Sequence, residues 1–305
     1  MRILVTGGAG FIGSHLAERF TGEGHEIVIL DNLSTGFESN VPENVNFVKG
    51  DIGDKELVAR LFREYHFEVL SHHAAQMNVR HSVEDPSFDA KENILGTLNL
   101  LQTGMEYGLK KVMFASTGGA IYGEQTAFPA TEEHPTNPIA PYGVSKLACE
   151  KYLNYYTVEH GLKTIVMRYA NVYGPRQNPY GEAGVVAIFS RLLASGEQVT
   201  INGDGKQTRD YMFVGDLVEA NLAGLDYTDS LTINLGTGLE TDVVQLYQYL
   251  AEAAGTSLEP QFGAAKPGEQ RRSVISPEKA RRVLGWQPRI ELAEGLEKTY
   301  KSFAA

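Results

Sequence analysis

The chain has 305 residues, 42% hydrophobic and 21% charged, with a net charge of −11, so it can bury a sizeable core but shows no basic face of the kind nucleic acid requires. Its one cysteine, Cys149, excludes an intrachain disulfide and a cysteine-based zinc site. The opening MRILVTGGAG reads as a strand and a turn rather than a leader, and no apolar run is long enough to span a bilayer, so we expect a cytoplasmic protein with no membrane partner.

In chain order, Arg2–Thr6 and Glu26–Asp31 read as buried strands around a helix over Phe11–Gly22. The turn between the first strand and that helix is TGGAGFIG, with Gly7, Gly10 and Gly13 spaced GxxGxxG. Small residues there let backbone approach a pyrophosphate at a helix N-terminus. Asp31 ends the second strand, where a carboxylate can hold both hydroxyls of an adenosine ribose and repel a 2′-phosphate; Asn32 follows rather than arginine, which favours NAD over NADP. Val45–Gly50 is a third strand candidate, and Asp51-Ile52 beyond it reads as an adenine contact or as a turn and a core residue. Asp54 is a good N-cap for a helix carrying Leu57, Val58, Leu61 and Phe62. Val69–His73, Lys111–Ser116, Lys163–Arg168 and Thr232–Leu235 complete a set of continuous apolar runs, the pattern of a parallel sheet covered on both faces.

Two long helices are expected. One runs from about Phe88 to Tyr107 with Ile94, Leu95, Leu98, Leu101 and Met105 on one stripe. The other starts near Tyr142, with Val144, Leu147, Ala148, Tyr152 and Tyr155 at helical spacing. Pro175–Gly184 is a polar loop, after which the rhythm changes; near the end Ser276 and Pro277 open a helix that Gly285 closes. The expected division is residues 1–173 plus about 212–237 in a dinucleotide-binding domain, and about 174–211 plus 238–305 in a smaller, discontinuous one.

Tyr142 and Lys146 stand as YGVSK, four apart and therefore on one face of a helix start. A free tyrosine titrates near 10, too high for a base at neutral pH; a lysine ammonium and a positive nicotinamide ring would favour its phenolate. His72, His73 and His81 have no carboxylate at ligand spacing, and no metal site is expected.

With these motifs in this order, the chain resembles an extended short-chain dehydrogenase/reductase, and within that superfamily the UDP-glucose 4-epimerases, also called UDP-galactose 4-epimerases. The resemblance spans essentially the whole chain and rests on TGGAGFIG, DNLSTG, HHAAQ, NILGT, YGVSK, RYANVYGPRQ, GDGKQTRDYMFVGD, NLGTG and LGWQP. It implies an α/β fold: a Rossmann-type doubly wound parallel sheet with a smaller, mainly helical C-terminal domain for a UDP-sugar. It also implies tightly bound NAD and a homodimer, with the two long helices forming a four-helix interface. For NAD it implies Phe11 and Ile12 beside the glycines, Asn32, Ser34, Thr35 and Gly36, then Ala74, Ala75, Gln76, Asn93 and Tyr169, with Tyr142 and Lys146. For the sugar nucleotide it implies Asn171, Val185, Val186, Thr200, Ile201 and Arg209.

The family's active hydroxyl follows the fifth strand. Counted from Phe114 it is Thr117; counted back from Tyr122-Gly123 it falls on Gly118, so the loop is one residue longer than in many relatives. Thr117 is our choice, and Ser116 is the alternative or faces the nicotinamide. Related dehydratases place an Asp-Glu pair after this hydroxyl, whereas Gly118-Gly119-Ala120 offers no titratable group, and Glu124 beyond reads as surface. A second family arginine appears as Lys266, before Gly268-Glu269, with Arg271 or Arg272 able to compensate. Ser273 falls near the position that gates sugar size, so UDP-GlcNAc and UDP-GalNAc are expected to be tolerated beside UDP-glucose and UDP-galactose. The alternatives are another nucleotide-sugar epimerase, dehydratase or reductase, or a non-catalytic dinucleotide sensor, which commonly lacks the tyrosine–lysine pair.

Overall fold

Seven apolar segments pair into one parallel sheet, each strand flanked by helices that cover its two faces. The computed structural model describes residues 1–180, 184–265 and 270–304. Its first half comprises β1 (Arg2–Thr6), α1 (Phe11–Gly22), β2 (Glu26–Asp31), β3 (Asn46–Lys49), α2 (Lys55–Tyr65), β4 (Val69–His72), α3 (Val79–Glu84), α4 (Pro86–Ala90), α5 (Gly96–Glu106), β5 (Lys111–Thr117), α6 (Pro141–His160) and β6 (Lys163–Tyr169). There follow β7 (Asn171–Tyr173), α7 (Val185–Ala194), β8 (Thr200–Asn202), β9 (Thr208–Arg209), β10 (Tyr211–Phe213), α8 (Val214–Asp226), β11 (Leu231–Leu235), β12 (Thr241–Asp242), α9 (Val243–Ala254), β13 (Gln261–Gly263), β14 (Arg272–Ser273), α10 (Glu278–Leu284) and α11 (Leu292–Ala304).

The strand order is β11-β6-β5-β4-β1-β2-β3. The chain starts at β1, moves out to β3, then returns to β4 on the other side. That reversal opens a crevice beyond the carboxyl ends of β1 and β4, where open α/β sheets hold ligands. Thr6 lies opposite both Leu30 and His72, and Thr117 opposite Tyr169, so these strands deliver their following residues to one edge.

Alternation along the strands divides the core. Ile3, Val5, Ile29 and Met113 pack with α1 and α8, while Leu4, Leu30, Val112 and Phe114 pack with α2, α5 and α6. A third cluster joins α7, α9 and α11 through Phe189, Leu193, Leu246, Leu250 and Leu296. The tail contributes to the core of the sheet. Ala280 and Trp286 pack into the core of the sheet, because Trp286 Nε1 donates to the Asp216 carbonyl (2.9 Å) and Ile290 N to the Asp216 carboxylate (3.0 Å) at the start of α8.

The helix expected from Phe88 to Tyr107 is interrupted. A π-helical turn over Lys91–Leu95 separates α4 from α5. The wider turn rotates the face that follows, so Asn93 is buried and Leu95, read as part of the apolar stripe, is 60% exposed. On α6 the apolar residues Val144, Tyr152 and Tyr155 also face outward, while Cys149, Leu153 and Tyr156 enter the core. Lys146 and Glu150 share the inward face because each finds partners there.

Candidate active site

The turn after β1 depends on absent side chains. Gly7 adopts φ +71°, and a Cβ on it would lie 2.6 Å from Ala74 N. One on Gly13 would lie 2.1 Å from the Gly7 carbonyl oxygen, and one on Gly36 2.7 Å from that of Ala9. Gly10 caps α1 without a side-chain hydrogen bond, leaving the helix's positive end, formed by the amides of Phe11, Ile12 and Gly13, as an anion site. Asp31 is buried at the end of β2, where its carboxylate accepts from Ala9 N (3.0 Å) and Leu33 N (2.8 Å). Two oxygens have lone pairs beyond these bonds, so the group is fixed and still able to accept from ribose hydroxyls.

The neighbouring loops are tied to this turn. Asn32 donates to Asp51 (2.8 Å) and accepts from Ser34 N (2.9 Å), and Asn178 reaches the Thr35 carbonyl (3.3 Å). Ile52 packs so closely on Gly96 that a Cβ there would lie 2.6 Å from it. After β4, Ala74 N donates to Thr6 Oγ1 (3.3 Å) before the chain passes through Ala75 to Gln76. Gln76 and Asn93 exchange two bonds of 2.9 Å between the Gln76 backbone and the Asn93 amide. A glycine-lined helix terminus beside a fixed carboxylate is a donor and acceptor set that fits a dinucleotide.

The histidines have structural partners. His72 bridges Thr6 (2.7 Å) and Thr97 (2.9 Å). His73, which the sequence leaves without a role, stacks on Tyr169 with Nε2 3.0 Å from its hydroxyl, and that hydroxyl donates to Asn221 (3.2 Å). With the tyrosine proton on Asn221, His73 must be the donor to the oxygen. Burial suits this neutral ring, pushing its pKa down to about 3. His81 lies against Phe88.

Across the crevice, α6 presents Tyr142 and Lys146. Lys146 Nζ donates to the Ala115 carbonyl (2.9 Å) and lies 5.9 Å from the Tyr142 ring centre. Burial pulls its ammonium down to about 8 despite the opposing charges of Cys149, Asp89 and Glu150. Burial, and then the charge of Asp89, pushes the Tyr142 phenol well above its ordinary value. The loop after β5 reaches the same helix start, since a Cβ on Gly143 would lie 2.9 Å from the Ala120 carbonyl oxygen. Thr117 Oγ1 accepts from Ala120 N (3.2 Å) and keeps its proton to donate. Ser116 points to the other face of the sheet, donating to Glu150 (2.6 Å), which is gripped by both ends of the Arg168 guanidinium (3.0 and 2.7 Å).

The two glycines of the loop differ. A Cβ on Gly118 would lie 2.6 Å from the Ile275 side chain, whereas one on Gly119 would make ordinary van der Waals contacts, 3.5 Å to Asn171 Oδ1 and 3.9 Å to Thr117 Oγ1. Gly118 is needed for packing, and Gly119 opens onto Thr117 and Asn171. Glu124 is exposed.

Among the residues expected at the sugar nucleotide, Arg209 and Ser273 are paired in register, and Asp210, next to Arg209, links Asn171 N and the Ser273 carbonyl (2.9 and 3.0 Å). Arg271 forms a two-pronged pair with Asp204 (2.8 and 2.9 Å). Arg272 grips Glu240 (2.9 and 2.7 Å) and lies 3.7 Å over the Phe128 ring. Thr200 is exposed and Val185 half-buried, while Val186 and Ile201 are buried in the third core cluster. Lys266, Gly268 and Glu269 lie outside the described residues. Sequence reasoning missed Asp89 and Asp210, two buried carboxylates that organise these loops; a charge inside an otherwise core-facing stretch was the available signal.

The family model for the NAD dependent epimerase/dehydratase family matches residues 3–236. This chain belongs to that family. Its cofactor is NAD, which the fixed carboxylate and glycine turn fit. Among members of the NAD dependent epimerase/dehydratase family, the UDP-glucose 4-epimerase of Mycolicibacterium smegmatis is 46% identical over 99% of this chain and 98% of its own. The structure of UDP-glucose 4-epimerase from Thermotoga maritima with UDP-glucose is similar at a TM-score of 0.97 and 47% identity, covering 99% of this chain and 98% of that one. That of Thermus thermophilus UDP-glucose 4-epimerase in complex with NAD is similar at 0.94 and 46%, covering 99% of both chains. Among the described residues, no helix is long and apolar enough to cross a membrane.

Proposed function

We propose that this protein interconverts UDP-glucose and UDP-galactose by transient oxidation at carbon 4, rotation of the 4-keto sugar and return of hydride to its other face. The observation that carries the reading is the loop from Thr117 to Ala120 lying against the start of the helix that bears Tyr142 and Lys146, with Gly119 beside Thr117 and Asn171 and no acid or base in the loop. Bound NAD would supply the acceptor and donor for the carbon-4 hydride, and the positive charge of its oxidised ring would favour the Tyr142 phenolate. Tyr142 removes the proton of the 4-hydroxyl, and Lys146 supports the phenolate by its charge. Thr117 donates to the sugar oxygen. Gly119 leaves room for rotation, and without an added acid or base a keto sugar held there is reduced rather than dehydrated.

Asp31 and the first turn of α1 hold the adenosine diphosphate half of NAD, with Gln76, Asn93 and Tyr169 toward the other end. Arg209 binds the sugar diphosphate, Asn171 the sugar and Ser273 the wall beside it. Ser273 is small, and the same reading extends to the N-acetylated UDP-sugars. The outward apolar face of α6, with Val144, Tyr152, Tyr155 and the 69%-exposed Val158, pairs with a second copy, supported by Leu95 and Phe88 from the neighbouring segment.

The test is incubation of the purified protein with UDP-galactose and no added cofactor. UDP-glucose is expected to appear; its absence under conditions where NAD copurifies would sink the reading. The same assay with UDP-N-acetylgalactosamine settles the wider substrate range.

A further inference from the structure

Asp89 is fully buried on α4, and the reaction described above does not use it. Three neutral donors converge on its carboxylate: Ser145 Oγ at 2.6 Å, Gln76 Nε2 at 3.0 Å and Asn93 Nδ2 at 3.0 Å. They come from three segments. Gln76 belongs to the loop after β4, which borders the glycine turn through Ala74. Asn93 sits in the π-helical turn and is itself locked to the Gln76 backbone. Ser145 lies on α6, three residues after Tyr142 and immediately before Lys146.

A carboxylate is the group that satisfies this arrangement. It offers two acceptor oxygens and no proton, whereas an amide offers one oxygen and would present its own donors to Ser145. Burying a charge for packing alone is costly, which makes its retention here informative.

We propose that Asp89 is a positioning residue that fixes the distance between the Gln76 loop, on the cofactor side, and the face of α6 that carries Tyr142 and Lys146. Hydride and proton leave the same carbinol, so the two sides must be held in one geometry. This rests on Tyr142 as the base. The Ser145 bond sets the helix, and the Gln76 and Asn93 bonds set the loop.

The test compares Asp89→Asn, Ser145→Ala and the double variant with the wild-type holoenzyme, reading kcat and KM for UDP-galactose, copurified NAD and the thermal midpoint. Misplacement of reacting groups predicts a kcat between about tenfold and a hundredfold lower with KM within about twofold. NAD is expected to remain bound. The double variant should be no worse than Asp89→Asn alone, because both substitutions break one link. If Asp89→Asn does not fold, Ser145→Ala carries the test. Wild-type kcat in folded Ser145→Ala or Asp89→Asn protein overturns the proposal, as do losses that multiply in the double variant. Tyr142→Phe runs beside them: turnover retained there removes the base assignment and this proposal with it, while a dead Tyr142→Phe beside an unaffected Asp89→Asn removes only the proposal.

Discussion

The side of the crevice proposed to hold the cofactor is made of backbone amides and missing side chains; the side proposed to hold the sugar is made of long side chains gathered from strands far apart in the chain. On the first side, Gly7, Gly13 and Gly36 are places where a Cβ has nowhere to go, and Asp31 is held by two amides. On the second, Arg209, Arg271 and Arg272 come within two adjacent strands, yet Arg271 and Arg272 already grip Asp204 and Glu240. The first arrangement is set by close backbone contacts around the turn after β1. The second depends on which partners the tertiary fold supplies, and so a count of arginines says little about which one meets a diphosphate.

The largest expected effect lies between the two sides. Tyr142→Phe should lower kcat by about a thousandfold, within the range for loss of a general base, while NAD stays bound because the turn after β1 is untouched. Measured turnover within tenfold of wild type would remove the assigned base. It would also break the comparison, since the chemistry would no longer sit where the two sides meet.

Acid should act on the cofactor side next. His72 is buried there and His73 half-buried, and loss of surrounding water lowers both pKa values, that of His73 to about 3. The unfolded chain takes up their protons near the ordinary 6.5, so between about pH 6.5 and 3 it binds more protons than the folded one, and stability falls as pH falls through that window. Urea midpoints at pH 7 and pH 5 test this: the wild type should lose stability at pH 5, and His73→Phe should lose less. An unchanged wild-type midpoint would show that the two rings titrate normally.

The loop glycines then separate packing from chemistry. Gly118→Asp collides with Ile275 and should destabilise the protein, whereas the Cβ of Gly119→Glu meets only ordinary contacts, so that variant should fold yet lower epimerisation at least about tenfold by intruding beside Thr117 and Asn171. Normal epimerisation by folded Gly119→Glu protein would show that the loop does not face the sugar.

Much of this architecture was legible in sequence, for reasons that differ by element. The sheet strands read clearly because each is a short apolar run between turns, and β1, β2 and α1 fall on the expected residues. The glycine turn and YGVSK read clearly because local spacing alone sets their geometry. The helix from Phe88 did not, because the π-helical turn at Asn93 answers to Asp89, Gln76 and Thr97, partners that periodicity does not reveal. Ser116 and Thr117 could not be told apart for a similar reason. Alternation puts them on opposite faces, but only Glu150 and Arg168, brought by α6 and β6, show which face is already occupied. The position of Trp286 in the sheet's core, rather than with the C-terminal helices, likewise follows from Asp216, seventy residues earlier in the chain.

The arginines provide the sharpest division within the side proposed for the sugar nucleotide, and Arg271 the smallest effect. Arg209→Ala should raise KM for UDP-galactose by about tenfold to a hundredfold, the loss expected for hydrogen bonds to a charged group at about 1.5–3 kcal/mol. Arg271→Ala removes an exposed pair with Asp204, and such pairs contribute little to stability. Its KM should stay within about twofold of wild type and its thermal midpoint should barely move. The pair of measurements is decisive in either direction. If Arg271→Ala raises KM as much as Arg209→Ala does, Arg271 must leave Asp204 to meet the diphosphate, and the sugar side is then assembled by its ligand rather than before it.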